Sequence, residues 1–369
     1  MTGTSVAILS LLAVLAYTYL GYPLAIGLLA RLRRWRPTPA AGALPTVTIC
    51  LPIYNGAGYL PAKIASLLAQ DYPSEFDILV YCDGCSDDSE AVARSLAATP
   101  AAGGRVRVIA NPERSGKPTG LNRLGPAATG ELLLLNDVRQ PLAPNALRAL
   151  ATALADPTVG CATGNLVLAG SAGSGVYWRY ENWIRRQESV FRGVVGMTGP
   201  IGMIRRADLR PLQEDLILDD VWIPMRIALT GKRTVFVVEA EARDTAFGDE
   251  REFQRKVRTL AGNYQLFARM PALLVPVVNP IWFETFSHKI LRLVAPWLLA
   301  LLAALSLAGA RQSVWIAALT VGQIAFYAGA AVGPRFGRIA SLARTFLVLN
   351  AAAMIGLWRF LTGRQRVTW

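Results

Sequence analysis

Each end of the chain carries long apolar stretches without a charged residue. Residues 1–30 form one such stretch, and residues 293–310 and 312–334 form two more, which only Arg311 separates. A helix needs about 20 apolar residues to cross a bilayer, so each stretch is long enough. We expect a membrane helix over residues 1–30 and a transmembrane hairpin over residues 290–334. A signal peptide fits residues 1–30 less well, because no basic residue precedes the apolar run.

The net charge of +13 is concentrated beside these stretches. Basic residues follow the first stretch, follow the hairpin and occupy the tail (Arg31, Arg33, Arg34 and Arg36; Arg335, Arg338 and Arg344; Arg359, Arg364 and Arg366). Positive charge beside membrane spans marks the cytoplasmic side. This pattern predicts an integral membrane protein of a bacterial inner membrane, with its middle region in the cytoplasm and its N-terminus outside. It does not favour a nucleic-acid partner.

Between and after the membrane stretches, composition divides the chain further. Residues 31–45 are basic and rich in proline, which predicts a linker before a domain over residues 46–248. Residues 249–289 are predicted to form amphipathic interfacial helices, and residues 335–369 a basic loop, a last membrane-associated helix and a cytoplasmic tail. The uncharged part of that last helix, residues 345–358, is short. We expect it to lie at the interface, because a full span would export the tail arginines.

Four β-prone apolar runs alternate with helical patterns in the first half of the middle domain. The runs are residues 46–51, 76–82, 106–110 and 131–135, and the helical patterns are residues 59–70, 89–97 and 121–128. This alternation predicts an α/β fold with a mostly parallel, doubly wound sheet. In such sheets, ligands bind beyond the carboxyl ends of the strands.

A turn and two acidic residues stand where three of these predicted strands end. Pro52, Tyr54 and Asn55 follow the first strand, Asp83 follows the second and Asp137 follows the fourth. We expect them to meet at one edge of the sheet. Neither G-x-G-x-x-G nor G-x-x-x-x-G-K-[ST] occurs in the chain, so neither a dinucleotide fold nor a P-loop is supported.

A C-x-x-C motif, Cys82 to Cys85, follows the second predicted strand. A redox pair or half of a zinc site would explain it, but the chain has no second C-x-x-C and its one histidine, His288, is distant in sequence. A coincidental pair of reduced cysteines is the favoured interpretation.

The second half of the domain offers three features with open interpretations. Residues 170–175 (GSAGSG) predict a flexible loop, either a plain surface loop or a gate. Asp219 and Asp220 precede a helical pattern at residues 221–229, where carboxylates either stabilise a helix start or present a general base. Residues 251–267 predict a basic amphipathic helix, which could dock on anionic lipid or contact a diphosphate.

Four motifs, in this order, resemble those of the family 2 glycosyltransferases, the inverting group that includes cellulose and hyaluronan synthases. They are residues 51–55 (LPIYN), 66–73 (SLLAQDYP), 82–87 (CDGCSD) and 116–122 (GKPTGLN). The resemblance runs from about residue 46 to residue 265. It implies a GT-A fold: a doubly wound mixed sheet flanked by N-terminal and C-terminal transmembrane helices.

The resemblance also implies roles on the donor side. Pro52, Tyr54 and Asn55 would lie beside the nucleotide, Asp83 would contact its base, and Lys117 would lie near it. Cys82 replaces the first acid of the family's Asp-Asp-Gly-Ser motif, which accounts for the C-x-x-C.

Asp137-Val138-Arg139 stands where the family has Asp-x-Asp, the metal motif. Asp137 matches the first acid and is the implied ligand of Mg²⁺ or Mn²⁺, whereas Arg139 replaces the second acid and is expected to counter diphosphate charge. Because Mg²⁺ often takes one or two carboxylates plus substrate phosphates, we still expect a divalent metal.

Residues 193–206 and Asp219-Asp220 resemble the family's motifs on the acceptor side of the active site. Asp220 is the predicted catalytic base, with Asp219 beside it. Arg255 and Arg258 match a degraded form of the family's Q-x-x-R-W motif and are expected to assist at the diphosphate. Thr259 replaces the tryptophan of that motif, which disfavours processive polymer synthesis.

These features predict an inverting hexosyltransferase of cell-envelope polysaccharide synthesis. The expected donor is a UDP- or GDP-sugar, and the expected acceptor is lipid-linked or a glycan, reached at the cytoplasmic membrane face among membrane lipids. Two alternatives stay open: a nucleotidyltransferase, and a non-catalytic membrane scaffold that binds a nucleotide-sugar.

Overall fold

The computed structural model describes residues 2–38, 42–169, 174–245, 249–332 and 337–367. Its centre is one seven-stranded sheet in the order β3-β2-β1-β4-β6-β5-β7. The strands are β1 (Val47–Ile53), β2 (Phe76–Asp83), β3 (Val106–Asn111), β4 (Leu132–Asn136), β5 (Val159–Ala169), β6 (Ile201–Arg205) and β7 (Arg233–Thr245). The first four are parallel, and β6 runs antiparallel to both of its neighbours. The predicted doubly wound mixed sheet is therefore confirmed.

Helices cover both faces of this sheet, as its apolar strands require. Around the sheet they are α3 (Leu60–Leu68), α4 (Ser89–Ala97), α5 (Lys117–Ala127), α6 (Ala146–Leu154), α7 (Ser174–Phe191), α8 (Asp219–Ala228) and α9 (Asp249–Arg269). One core cluster includes Ile49 and Leu134, and the other, on the opposite face, includes Leu79 and Leu133. Neighbouring residues of a strand point to opposite faces, so a strand buried on both faces consists of a continuous apolar run.

The remaining helices carry the apolar ends of the chain. They are α1 (Gly3–Ala16), a π-helical turn (Tyr17–Gly21) and α2 (Tyr22–Leu32), then α10 (Trp282–Glu284), a second π-helical turn (Thr285–Ile290), α11 (Leu291–Gly309), α12 (Val314–Val332) and α13 (Arg338–Leu361). Four stretches of the described residues are long and apolar enough to cross a membrane: Gly3–Leu32, Trp282–Gly309, Val314–Val332 and Ala340–Leu361. Helices long and apolar enough to cross a membrane are thus present at both ends of the described chain, as predicted.

The last helix is longer than the short segment expected at residues 345–358. It packs along α9, one of the helices around the sheet: Arg359 donates to Gln254 Oε1 at 2.9 Å, and, from α9, Arg258 Nη2 donates to the carbonyl oxygen of Val367 in the tail at 3.0 Å. Near its beginning, Phe346 contacts Phe326 of α12, with ring centroids 5.9 Å apart. The tail therefore returns to the helices around the sheet.

Buried polar contacts hold the apolar terminal helices against α7. Glu188, which is fully buried, accepts a 2.5 Å hydrogen bond from the Tyr22 hydroxyl and lies 2.6 Å from His288 Nδ1. Arg192 forms a bidentate ion pair with the buried carboxylate of Glu284, with hydrogen bonds of 3.0 and 3.1 Å. A buried charge is costly unless it is paired, so these contacts fix the helices in one arrangement.

The loop predicted at residues 170–175 falls largely on residues 170–173, which lie outside the described residues. The next two residues begin α7.

Candidate functional site

A cleft of about 820 Å³ opens beyond the carboxyl ends of β1 and β4. Most of the site residues expected from the sequence line it: Pro52, Tyr54, Asn55, Lys117, Asp137, Arg139, Asp219, Asp220, Arg255 and Arg258. The sheet topology explains this gathering, because β1 and β4 are adjacent parallel strands and end at the same edge.

The turn after β1 is held in an unusual backbone conformation. Asn55 has a φ of 48°, and it is the one non-glycine residue in the described part of the chain with a positive φ. Its side chain forms two hydrogen bonds with Ser86, in the loop after β2: it donates to Ser86 Oγ and accepts from Ser86 N, each at 2.9 Å. Left-handed backbone at a non-glycine residue persists only where surrounding contacts hold it, and such residues cluster at functional sites.

Lys117, at the first position of α5, lies at the centre of an acidic cluster. Its Nζ is 2.9 Å from Asp137 Oδ1 and 3.1 Å from Asp219 Oδ2. Burial by itself lowers the pKa of the Lys117 ammonium, but the two carboxylates outweigh it and hold that pKa above its usual value. Lys117 is therefore a fixed positive charge between residues that are 82 positions apart in sequence, counting from Asp137 to Asp219.

Asp83 does not line the cleft and instead holds the loop in front of Lys117. Its Oδ1 accepts from the backbone N and the hydroxyl of Ser115, at 2.8 and 2.9 Å, and its Oδ2 accepts from Gly116 N at 2.7 Å. Asp83 is 5% exposed. In this structure its contacts thus position α5, and its predicted contact with a nucleotide base stays a prediction.

Asp219 and Asp220 form the first turn of α8, where the helix dipole favours carboxylates. Burial, followed by repulsion from Asp219, raises the pKa of Asp220 to about 6, although Lys117 and Arg258 act in the opposite direction. The Asp220 carboxylate faces Gly199, at which a side chain would begin 3.1 Å from Oδ2. A carboxylate of raised pKa, open to a cleft, is suited to accept a proton near neutral pH.

Arg139 reaches across to β7, where it pairs with the buried carboxylate of Asp244. The same carboxylate accepts from Gln140 Nε2 at 2.7 Å, so two consecutive residues after β4 are tied to it. Lys63, fully buried in α3, donates to the Gln140 carbonyl oxygen at 2.5 Å. The position that carries the second acid of an Asp-x-Asp motif is thus part of a fixed ion pair.

Helix α9 and the tail close one side of the cleft. Arg258 Nη2 donates to the Ile217 carbonyl oxygen at 3.1 Å, just before α8, and Arg255 pairs with Glu252 at 3.0 Å. Sequence reasoning missed further lining residues: Trp178, Arg185, Gln254, Arg359 and Gln365. The one sequence feature that predicted part of this wall was the basic pattern of residues 251–267, which lies within α9.

The C-x-x-C cysteines show no sign of a redox or zinc site. All four cysteines are free thiols, and burial raises the pKa of Cys82 to about 12, opposite to the shift of a reactive thiolate. Within the described residues no cluster of three or more His, Cys, Asp and Glu side chains could hold a metal ion.

Part of the chain is similar to a known protein family. Residues 48–212 match the model of Glycosyl transferase family 2. An N-acetylglucosaminyltransferase of Rhizobium meliloti (strain 1021) is 32% identical over 177 residues, which cover 46% of this chain and 41% of that protein. One from Sinorhizobium fredii is 29% identical over 183 residues, covering 47% and 43%. The matches thus span less than half of the length of these curated relatives.

A solved structure resembles the whole fold. The mannosyltransferase PcManGT of Pyrobaculum calidifontis, in complex with GDP-Man and Mn²⁺, superposes with a TM-score of 0.79 over 97% of this chain and 99% of that one, at 23% identity. At that identity the likeness shows the shared fold. The chain therefore carries a region similar to the family 2 glycosyl transferases, residues 48–212, within a GT-A fold that has helices able to span a membrane at both ends.

Proposed function

We propose that this protein is an inverting glycosyltransferase, which moves a sugar from a nucleoside-diphosphate sugar to an acceptor at the membrane. The observation that carries the proposal is the arrangement of charges in the 820 Å³ cleft. Lys117 forms ion pairs with both Asp137 and Asp219. Asp220, the next residue of α8, also lines the cleft, and its carboxyl has a raised pKa. The cleft thus offers positive and negative groups in fixed positions beside a proton acceptor.

The donor would occupy the β1 and β4 side of the cleft. Pro52, Tyr54 and Asn55 form the turn there, and the Arg114 guanidinium stacks over the Tyr54 ring at 3.6 Å. Lys117 and the arginines of α9 supply positive charge for a diphosphate, which such groups bind through charge-assisted hydrogen bonds. Their fixed positions would stabilise the charge that develops as the sugar leaves.

A divalent metal fits this site only as a shared complex with the donor. Asp137 is the carboxylate of the motif that could bind the metal, and 34% of its side chain is exposed. The motif offers no second carboxylate, because its third position is Arg139, which is paired with Asp244. Mg²⁺ and Mn²⁺ are held in many sites by one or two carboxylates and substrate phosphates. When bound, the ion would act as a Lewis acid on the diphosphate.

Asp220 is the proposed base. In an inverting transfer the acceptor hydroxyl attacks the anomeric carbon on the face opposite the leaving diphosphate, and its proton passes to a carboxylate within hydrogen-bond reach. A pKa of about 6 leaves Asp220 ionised at neutral pH and still basic enough to take that proton. Asp219 would act through Lys117, since it lies at ion-pair distance from the ammonium.

The packing of α13 supports the proposed acceptor side and membrane orientation. Its C-terminal end and the tail contact α9, so Arg359 lies beside the proposed catalytic region, which is the sheet with the helices around it. Arg31 and Arg33 lie at the C-terminal end of α2, where the chain leaves the first apolar helix. Positive charge favours the cytoplasmic side, so we place the catalytic region in the cytoplasm, beneath a bacterial inner membrane, with α13 along the interface. The acceptor is then a lipid-linked or glycan molecule presented at that face.

The relatives narrow the donor to a class. N-acetylglucosaminyltransferases and a protein bound to GDP-Man together favour a UDP- or GDP-linked hexose or N-acetylhexosamine. Purified protein in detergent should release a nucleoside diphosphate from one member of a panel of UDP- and GDP-sugars. Asp220→Asn should lose this release while it still binds the diphosphate.

Two results would contradict the proposal. Release of pyrophosphate in place of a nucleoside diphosphate would identify a nucleotidyltransferase. Binding of a nucleoside diphosphate without turnover of any sugar donor, in folded protein supplied with Mn²⁺ and membrane lipid extract, would identify a non-catalytic scaffold.

A further inference from the structure

A second cavity, of about 790 Å³, lies between the catalytic region and the membrane helices. The catalytic side of its lining comes from α7 and α9, with Glu181, Lys256 and Asn263 among the lining residues. The membrane side comes from the π-helical turn after α1, the start of α11, and helices α12 and α13. None of the residues to which the proposed transfer assigns a role lines this cavity, so the transfer chemistry does not account for it.

The polar end of this cavity has an excess of positive charge. Among the described residues, a single carboxylate lines it, that of Glu181, together with four cationic side chains: Arg185, Lys256, Lys289 and Arg292. Glu181 pairs with Arg292 at 2.5 Å and with His288 Nε2 at 3.1 Å. Its charge is therefore already matched, and it cannot balance the remaining cations.

Lys289 and Arg185 are the cations of this network that have no carboxylate at ion-pair distance in the described part of the chain; Glu181 and Glu188 attract both of them only from farther away. Neither forms an ion pair with any described carboxylate. Arg185 instead stacks over Phe236 at 5.1 Å and donates to the Gly196 carbonyl oxygen at 3.4 Å. Partly buried cations that lack a counter-charge are costly, and an anionic ligand would supply that charge.

The opposite wall of the cavity is apolar and lies on helices able to cross the membrane. It includes Phe326 of α12 and Leu342, Phe346 and Leu349 of α13. A cationic pocket joined to an apolar wall matches a molecule with an anionic head and a hydrocarbon chain.

The two cavities are next to each other. Four residues, Trp178, Arg185, Lys256 and Thr259, line both of them. A head group held at Arg185 and Lys289 would thus sit next to the cleft that contains Asp220. A phospholipid that only anchors the protein could bind anywhere on the apolar helices. An acceptor has to bind next to the cleft, because its hydroxyl must reach the sugar donor.

We infer that the second cavity binds the acceptor, and that the acceptor is a lipid whose hydrocarbon chain carries a phosphate head group. This assignment rests on the proposed transferase function, because it gives that cleft its second substrate. The phosphate lies among Arg185, Lys289 and Arg292, and the hydrocarbon chain lies against α12 and α13. The attacking hydroxyl belongs to a sugar carried on that phosphate, which enters the cleft past Trp178; its oxygen bonds to the anomeric carbon, its proton passes to Asp220, and the nucleoside diphosphate leaves.

The test uses full-length protein in nanodiscs of uncharged lipid, with a fluorescent long-chain isoprenyl monophosphate as the probe. Lys289→Gln should weaken probe binding about tenfold or more, as expected for loss of a hydrogen bond to a charged group. Lys289→Arg should restore it. The matched control is Arg344→Gln, which removes an exposed cation of α13 outside the cavity and should change probe binding less than about twofold.

Binding of the nucleoside diphosphate is measured on the same samples. A failure of the acceptor-site proposal can then be distinguished from a failure of the proposed transferase function. Unchanged diphosphate binding with weakened probe binding in Lys289→Gln supports the acceptor site. Equal effects of Lys289→Gln and Arg344→Gln on the probe, or competition by phosphatidylglycerol at equal affinity, would overturn it, because either result indicates binding of bulk anionic lipid. Absence of diphosphate binding in the unmodified protein would instead overturn the proposed function.

A second measurement covers the case in which Lys289→Gln does not fold. A diazirine placed on the probe's hydrocarbon chain should crosslink the unmodified protein within residues 342–353. Crosslinks confined to α1 or to the outer face of α12 would overturn the inference.

Discussion

Replacing Asp220 with asparagine should make the folded protein more stable at neutral pH, even as it abolishes transfer. Burial and the neighbouring Asp219 carboxylate raise the pKa of Asp220 from 3.8 to about 6 in the folded protein. A carboxyl whose pKa is raised by folding costs stability when it is ionised, because the unfolded chain loses that proton more readily. Asparagine has nearly the same shape and carries no charge, so the cost disappears.

The size of the effect follows from the shift. One pKa unit corresponds to about 1.4 kcal/mol, so the cost is on the order of 3 kcal/mol above pH 6. It decreases as the pH falls through 6 toward 4, to about 1 kcal/mol at pH 4.5, because the folded form then holds the proton. At about 2–4 °C per kcal/mol, Asp220→Asn should unfold at least about 5 °C higher at pH 8.

Thermal unfolding followed by tryptophan fluorescence in detergent, at pH 8 and pH 4.5, measures this difference. The control is Asp71→Asn, which removes an exposed carboxylate paired with Arg148 and should shift the midpoint by about 1 °C or less. An Asp220→Asn midpoint equal to or below that of the unmodified protein at pH 8 would refute the reasoning. So would an advantage that grows as the pH is lowered.

Three further predictions concern the cleft and the turn that supports it. Transfer should decline as the pH falls below about 6, because the Asp220 base must be ionised, and a kcat/KM profile that is flat from pH 4.5 to 7 would contradict this. Asp137→Ala should weaken donor binding about tenfold or more in titration calorimetry and remove any response to Mn²⁺, whereas a preserved Mn²⁺ response would exclude Asp137 as the metal ligand. Gly84→Ala should destabilise the protein by about 1–3 kcal/mol in denaturant unfolding, because Gly84 has a φ of +60° and its added carbon would lie 2.4 Å from Arg114 N; an unchanged midpoint would contradict this close approach of the two loops.

The first four strands could be predicted because each is a continuous apolar run that ends at a turn signal. The strands β5 and β7 gave no such signal. The strand β5 contains Gly160, Gly164 and Asn165, and β7 carries several charged residues, so neither has the composition of a buried strand. Their places in the sheet depend on tertiary pairing, which overrides local preference.

The same difference separates the site residues that were found from those that were missed. Lys117 and Asp137 stand in motifs, and the parallel order of the strands brings them together. The pair of Arg139 and Asp244 joins residues 105 positions apart, and no local pattern marks it. Arg359 enters the wall of the cleft only because α13 turns back onto α9, a contact that hydropathy cannot reveal.

One sugar donor should lie between Asp137 and Asp220, and the proposed transfer depends most on this placement. A cryo-electron microscopy structure of Asp220→Asn protein, with the nucleotide-sugar that the donor panel identifies, tests it directly. We expect the diphosphate beside Asp137 and Lys117, with the anomeric carbon facing position 220 across a gap open to the second cavity. A donor bound outside the 820 Å³ cleft, or one whose leaving diphosphate lies on the side of position 220, would contradict the proposed transfer.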